Sequence, residues 1–417
     1  MLALTISPFD PDPSRWQEDR PALYRRYREA DPVHWGHSPN PSLPGCWYLF
    51  RHAEVEAALN DPRYGRERPG EGVSKARAVA ASRLSPGLVE LDAGWMIHRD
   101  PPTHTASRRW LGQSLSVGLV DAFKLRLWSL TEDLISELPM VGPVEFMAQF
   151  AERLPARAMS ELFGFEGPAA VGFAESVVSL LSSRRPTEDY SRGRASLAGQ
   201  LSALIKARRR APRADLVSRL AAVRREQQGD DTLGLAELVS TCLFVLTTGY
   251  RVTVDLLGNG LLCLLSRPDE YDAVLTEPEM LPRAVQECLR FESPVQMVDR
   301  WVREDMELCG KTLRRGQRVY LVLGAANRDP ARFEEPDKLD FRRNGQHHLA
   351  VGAGTHFCLG ARLARIQAEI AFRLLPRRLP GLKLNGTLPR WQLDASFRSL
   401  QLLHVCYLQH AKGAGHA

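Results

Sequence analysis

Between about residue 14 and residue 300, apolar side chains recur at spacings of three and four. The recurrence is clearest in 121–138, 145–163, 192–208, 214–226, 233–266 and 278–292. That period predicts amphipathic helices, because residues three and four apart share one helix face. The connections are short except 66–93 and 180–192, whose Arg, Ser, Gly and Pro content predicts long surface loops. After 294 the period shortens. VDRWVRE, MELCGKTLRRGQRVYLVLG and FRSLQLLHVCYL alternate and favour β-branched or aromatic residues, which predicts short strands joined by turns. The irregular stretch AANRDPARFEEPDKLDFRRNGQHH leads into a glycine-punctuated loop, after which ARLARIQAEIAFRLL resumes a helix. The fold class is therefore mainly α with small β-sheets. With no internal repeat or composition break, 1–417 reads as a single domain, its β-containing part near 30–60 and 294–410 and its helical part near 65–294 plus 359–376.

One stretch breaks the pattern. TTGYRVTVDLLGNG (247–260) lies in the longest apolar run, yet Gly249 costs a helix interior about 1 kcal/mol against alanine. Arg251 sets a permanent cation among leucines, and Val252 beside it offers no hydrogen bond.

Composition narrows the class. The 417 residues are 44% hydrophobic and 25% charged, as in globular proteins. The N-terminus has no basic n-region, and no apolar run reaches the ~18 uninterrupted residues of a membrane span, so a cytoplasmic protein with no membrane segment is expected. Cysteines 46, 242, 263, 288, 309, 358 and 406 are odd in number and scattered, as in a reduced protein where most are small core residues. The net charge of +6 is modest. Basic clusters at 207–213, 314–318 and 377–378 read as solvated helix ends and loops, or as a docking face for an acidic partner. No nucleic-acid motif accompanies them. Arginine exceeds lysine 48 to 7, which suits a GC-rich genome.

Cys358 differs from the other six. In HLAVGAGTHFCLGARLAR (348–365) it ends a glycine-rich loop immediately before a patterned helix. Unpaired N–H groups and a positive dipole end at such a helix start stabilise a thiolate, and a thiolate is a soft ligand that iron accepts. Two other readings compete: a structural cysteine, or a zinc site using His347, His348, His356 and Cys358, whose spacing is poor for one tetrahedron.

GAGTHFCLG resembles the haem-binding loop of the cytochrome P450 family, F-G-x-G-x-H-x-C-x-G, at Gly352, Gly354, His356, Cys358 and Gly360. Val351 departs from the usual phenylalanine, a change expected to alter packing beside the haem but not ligation. Glu287 and Arg290 resemble the family's E-x-x-R motif, with Arg343 fitting the arginine that completes the lock. DPPTHTASRR (100–109) resembles D-P-P-x-H-x-x-x-R and carries His104 and Arg108. SPVQMVDRWV, AANRDPARF and LGNGLL follow in the family's order.

The resemblance implies the P450 fold and haem b as cofactor, with Cys358 as the metal ligand and His104, Arg108, Arg300 and His356 on the propionates. It implies a monomeric oxygenase that acts on a small molecule. Electrons would come from a ferredoxin and ferredoxin reductase, docking near Arg109, Arg362 and Arg365. A secondary metabolite, as in antibiotic biosynthesis, fits as substrate. The resemblance also explains Gly249, as part of an open helix segment that admits oxygen. The family's acid and alcohol, which relay protons, are replaced here by Arg251 and Val252. Arginine does not give up a proton in practice and valine has no hydroxyl. Arg251 either pairs with Asp255 one turn on or faces the pocket and holds an acidic group of the substrate. In the second case protons would come from that substrate or from ordered water, and Thr248 or Thr253 could stand in for the lost hydroxyl. The departure favours coupling or ring formation as much as hydroxylation. A peroxide-using, peroxygenase-like variant is one alternative, and a noncatalytic relative that activates a partner enzyme is another. Candidate substrate contacts fall in 66–93, 162–195, at Val295 and Val298, and in the turn Ser396–Ser399, where Arg398 is a candidate second anion contact.

Overall fold

The change of period at 294 marks a change of backbone in the computed structural model. It describes residues 6–16, 19–40, 43–70, 95–139, 142–182, 188–223, 233–277, 279–343 and 347–408. The strands are β1 (Val33–Gly36), β2 (Cys46–Leu49), β3 (Tyr64–Gly65), β4 (Val144–Glu145), β5 (Val298–Val302) and β6 (Met306–Leu308). They continue with β7 (Lys311–Leu313), β8 (Arg318–Leu321), β9 (Lys383–Leu384), β10 (Arg390–Trp391), β11 (Leu400–Leu402) and β12 (His404–Cys406). Two units interleave along the chain. One takes the described residues within 1–72, 259–358 and 389–401, and the other those within 73–258, 359–388 and 402–417.

The first unit is built on a five-stranded sheet of order β1-β2-β8-β5-β3. β2 and β8 run parallel and the other neighbours antiparallel. Side chains alternate between its faces. Leu49, Val319 and Leu321 point into an aliphatic core with Val33, Val55 and Leu349. Tyr48 and Tyr320 enter an aromatic core with Phe9, Tyr24, Tyr27 and Phe50 and stack at 5.3 Å. The helix Met280–Phe291 buries Met280, Leu281, Ala284, Val285 and Cys288, and with them Glu287 and Arg290.

The second unit is helical. Val117–Ser136 packs on Ala361–Arg378, and Arg153–Phe163 on Gly167–Ser182, which also meets Glu188–Arg210. The central helix Leu235–Leu265 has 31 residues and so spans ~47 Å. By length and composition it could cross a membrane, but half of its most apolar window is buried inside the protein. β4, β12 and β9 form a three-stranded sheet in this unit.

Several boundaries differ from expectation. Segment 145–163 begins as strand β4, passes through a π-helical turn Met147–Ala151 and only then becomes α-helical. The cause is Glu145, whose carboxylate accepts from the amides of Met147 (3.1 Å), Ala148 (2.7 Å) and Leu403 (3.0 Å), holding the chain to β12. The predicted loop 180–192 is shorter, since helices occupy residues up to Ser182 and from Glu188 on; 183–187 lie outside the described residues. So do 71–93 of the other predicted loop. In 214–226 only Leu216–Ala221 is helical, and 224–226 are not described. Pro268–Thr276 is a further helix, started by Pro268 at its first position with acidic Asp269 and Glu270 behind it.

Candidate functional site

In the first unit the glycine-rich loop is fastened at several points. The Cys358 amide donates to the carbonyl of Val351 (3.0 Å), Phe357 to Gly354 (3.1 Å) and Gly352 to Leu349 (2.9 Å). Gly354 opens a short 3-10 turn, Gly354–His356, with φ at +65°. A Cβ there would collide with the Leu59 carbonyl and stand 3.0 Å from Asn60 Oδ1, so glycine is required by conformation and by space. Cys358 and His356 are half-buried, and the helix Ala361–Arg378 starts three residues after the cysteine, with Gly360 as its N-cap.

Behind the loop lies a buried ionic cluster. Arg290 meets Glu287 through two hydrogen bonds of 2.7 Å. Its remaining donors reach the carbonyls of Asn327 (2.9 Å), Pro336 (2.8 Å) and Lys338 (3.1 Å). Arg343 adds a bond to Glu287 at 3.3 Å, and the Asp340 amide another at 3.0 Å. Asn327 carries this cluster to the loop: its side chain accepts from the Leu349 amide (2.6 Å) and donates to Ser293 (2.8 Å). The hydrogen-bonded path thus runs from Glu287 through Arg290, Asn327 and Leu349 to the segment that holds Cys358. Asn327 had only its place in AANRDPARF to single it out in the sequence.

Arg300 is buried on β5 opposite Val319 and donates to the Asp299 carbonyl (2.8 Å). Asp299 itself is clasped by Arg66 (2.9 Å) and Arg318 (2.8 Å). Burial raises its carboxyl pKa, and the two guanidiniums outweigh this and hold it well below the usual carboxylate range. Val298 lies opposite Leu321 on β5, and Val295 bridges to Phe397; both pack in part against the aliphatic core. Arg398 pairs with Glu292 at 2.9 Å and its guanidinium lies 3.4 Å over the Trp391 ring.

In the second unit His104 and Arg108 lie one turn apart on the helix Thr103–Ser114, His104 buried and Arg108 half-buried. The central helix is α-helical through Gly249. A Cβ on Gly249 would stand 3.3 Å from Met159 Cε. The Thr248 hydroxyl donates to the Phe244 carbonyl and that of Thr253 to the Gly249 carbonyl, both at 2.7 Å, contacts of the kind that bend a helix. Arg251 Nε stands 3.9 Å from the carboxylate of the fully buried Asp255, while Val252 is half-buried beside them. Of the arginines expected at a docking face, Arg109 is exposed, Arg362 pairs with Asp121 at 2.6 Å and Arg365 bonds the Ala361 carbonyl.

Among the described residues, no group of three or more His, Cys, Asp and Glu side chains is placed to hold a metal ion. The zinc alternative finds no such ligand set among the described residues, and the His348 ring is engaged with Gln286 (2.8 Å) and the Ala350 amide (3.2 Å). What the loop offers is one soft sulfur, which fits a metal whose other ligands come from a macrocycle.

A family model described as Cytochrome P450 matches residues 187–379. The Vitamin D(3) 25-hydroxylase of Pseudonocardia autotrophica is 35% identical over 370 residues, 88% of each chain. The 6-deoxyerythronolide B hydroxylase of Saccharopolyspora erythraea is 34% identical over 369 residues, 87% of this chain and 89% of the other. The structure of the Bacillus subtilis cytochrome P450 PksS of the bacillaene polyketide synthase superposes with a TM-score of 0.84 at 28% identity, covering 96% of this chain and 100% of that one. A fold, a sulfur-bearing loop and relatives matched along most of their length agree: the chain belongs to the cytochrome P450 family and is an oxidoreductase that works with haem b.

Proposed function

We propose that this chain oxidises a small organic molecule in secondary metabolism, with Cys358 as the thiolate ligand of haem b and electrons delivered by a ferredoxin and its reductase. The observation that carries the reading is the fastened loop around Cys358, a lone soft ligand held by glycine geometry and by the Asn327 bridge. The named relatives include a hydroxylase of vitamin D(3) and one of 6-deoxyerythronolide B, which supports a small organic substrate. When bound, haem b supplies the activation of dioxygen that places one oxygen atom on the substrate and releases the other as water. Arg300 and His356, in the same unit as Cys358, are cations suited to a haem propionate.

The chain's own residues then have to supply protons where the usual acid and alcohol are absent. Arg251 stays protonated and Val252 has nothing to give. The hydroxyls of Thr248 and Thr253 are engaged with helix carbonyls but keep lone pairs that can accept from water. Protons therefore arrive from an acidic substrate or through water ordered along this turn. The Arg251–Asp255 pair favours this dioxygen reading over the peroxide-using one, which would set Arg251 to hold an acidic group.

The test is the carbon monoxide difference spectrum of the reduced protein. The wild type is expected to give the band of thiolate-ligated haem and Cys358→Ser to lose it; a serine variant that kept the band would refute the assignment. In the same preparations, Arg251→Ala should lower product formed per nicotinamide oxidised.

A further inference from the structure

Within the first unit, a small cleft is lined by Arg20, Tyr24, Glu292, Gln296, Arg328 and Arg398. Arg20 opens the helix Arg20–Ala30 and is 7% exposed. Among the described residues its partners are the carbonyls of Phe397 (3.1 Å) and Asp394 (2.6 Å) and the Trp16 ring, 5.0 Å away. Those bonds use the two terminal nitrogens and leave Nε buried with no hydrogen-bond partner. Tyr24, one turn on and 2% exposed, buries a hydroxyl that likewise has none. Residues four apart share a helix face, so the two unsatisfied groups line the same cleft.

The charges around the cleft do not cancel. Glu292 is the one carboxylate in the lining. It accepts from Arg398 Nε at 2.9 Å and faces Arg328 at 3.5 Å, so its charge is shared between two other cations. The nearby Asp394 turns its carboxylate to the amides of Ser396 (2.9 Å) and Phe397 (3.1 Å). Arg20 therefore remains a buried cation held by carbonyls. Burial, helped by the Arg398 charge, pulls its pKa down. Burial also pushes the Tyr24 pKa up, which keeps that hydroxyl protonated and able to donate. Gln296 spends its amide nitrogen on the Ser293 carbonyl at 2.7 Å. The cleft has room for a single water-sized occupant, which excludes carboxylates, phosphate and sulfate. A water molecule takes both hydrogen bonds but brings no charge. A monatomic anion takes both and offsets the cation as well.

We propose that Arg20 and Tyr24 form a halide site, in which the Arg20 Nε–H and the Tyr24 hydroxyl donate to one chloride ion. The carbonyls that Arg20 holds belong to the turn whose Phe397 bridges to Val295, so the ion steadies the cation on which that turn is fastened.

The experiment uses the purified holoenzyme, crystallised from a bromide salt, with diffraction recorded at the bromine absorption edge. An anomalous peak within hydrogen-bond reach of Arg20 Nε and the Tyr24 oxygen is expected; no anomalous peak there means water alone and overturns the proposal. In solution, melting temperatures are measured in potassium chloride and in potassium sulfate of equal ionic strength. Tyr24→Phe keeps the ring and removes one donor, and the gap between wild type and this variant, taken in each salt, cancels the general salt effect. That gap should be wider in chloride by about 1–2 °C, the effect of a roughly tenfold loss of chloride affinity in a chain of this size. Arg20→Gln should abolish the dependence on chloride. Equal gaps in the two salts would overturn the proposal, as would an Arg20→Gln variant that kept the dependence. Should Arg20→Gln fail to fold, the Tyr24→Phe comparison decides.

Discussion

Glu287→Gln changes almost no volume and removes one charge, which makes it a clean probe of the buried cluster. Glu287 and Arg290 are each 2% exposed at the side chain. The variant leaves the Arg290 guanidinium in place without its counter-charge and turns an amide toward donors that need an acceptor. Breaking a buried pair from one side costs about 3–5 kcal/mol. At ~2.1 cal/mol/K of unfolding entropy per residue, 417 residues give ~0.9 kcal/mol/K, so the expected fall in Tm is roughly 3–6 °C for a single transition. The surface supplies a control of like geometry. Arg126 grips Glu161 through two bonds of 2.6 Å, yet its side chain is 47% exposed, and Glu161→Gln should cost under about 1 kcal/mol. Because Arg290 also holds the Asn327 carbonyl, and Asn327 holds the Leu349 amide, Glu287→Gln should lower haem retained per polypeptide, whereas Glu161→Gln should not. Melting by circular dichroism and haem content by pyridine haemochrome read both effects. Equal shifts in the two variants, or full haem content in Glu287→Gln, would refute the argument that burial and the Asn327 bridge set the outcome.

Two further outcomes follow from the same unit. Gly354→Ala forces a side chain into a left-handed backbone against the Leu59 carbonyl; about 1–2 kcal/mol of conformational strain plus the clash should release the Cys358 loop, seen as loss of haem with secondary structure kept. Asp299, whose folded pKa is depressed by Arg66 and Arg318 against the effect of burial, contributes stability that is present above the unfolded pKa of about 3.9 and fades as pH falls toward the folded value. The Tm gap between wild type and Asp299→Asn should therefore be widest near neutrality and narrow below about pH 4, and a gap that widened on acidification would contradict it.

Features fixed by local backbone chemistry were the most legible in the sequence. The loop of 352–360 could be read because glycines at set spacings before a patterned helix have few other uses, and the helix Met280–Phe291 because its apolar stripe is regular enough to carry Glu287 and Arg290 onto the inner face. The start of 145–163 was not legible: Glu145 reads as an ordinary helix residue, and its bond to Leu403, 258 positions away, together with its pairing to His404, keeps it in a strand. The pairing of Arg398 was not legible for the same reason, since its partner Glu292 lies 106 residues distant.

Arg194 shows the limit most clearly. In SRGRASLAGQL it stands between Gly193 and Ala195 on a weakly amphipathic helix, and no period in the chain links it to Trp95, 99 positions earlier. Arg251 drew notice because it interrupted an apolar run, yet that run also carries Asp255, placed to match it. An arginine conspicuous in sequence was balanced by its own helix, while an inconspicuous one was buried by three-dimensional packing beside an indole donor. Local pattern records what each helix can satisfy by itself. What buries Arg194 over the Trp95 ring is tertiary packing, which is visible only once the elements are assembled.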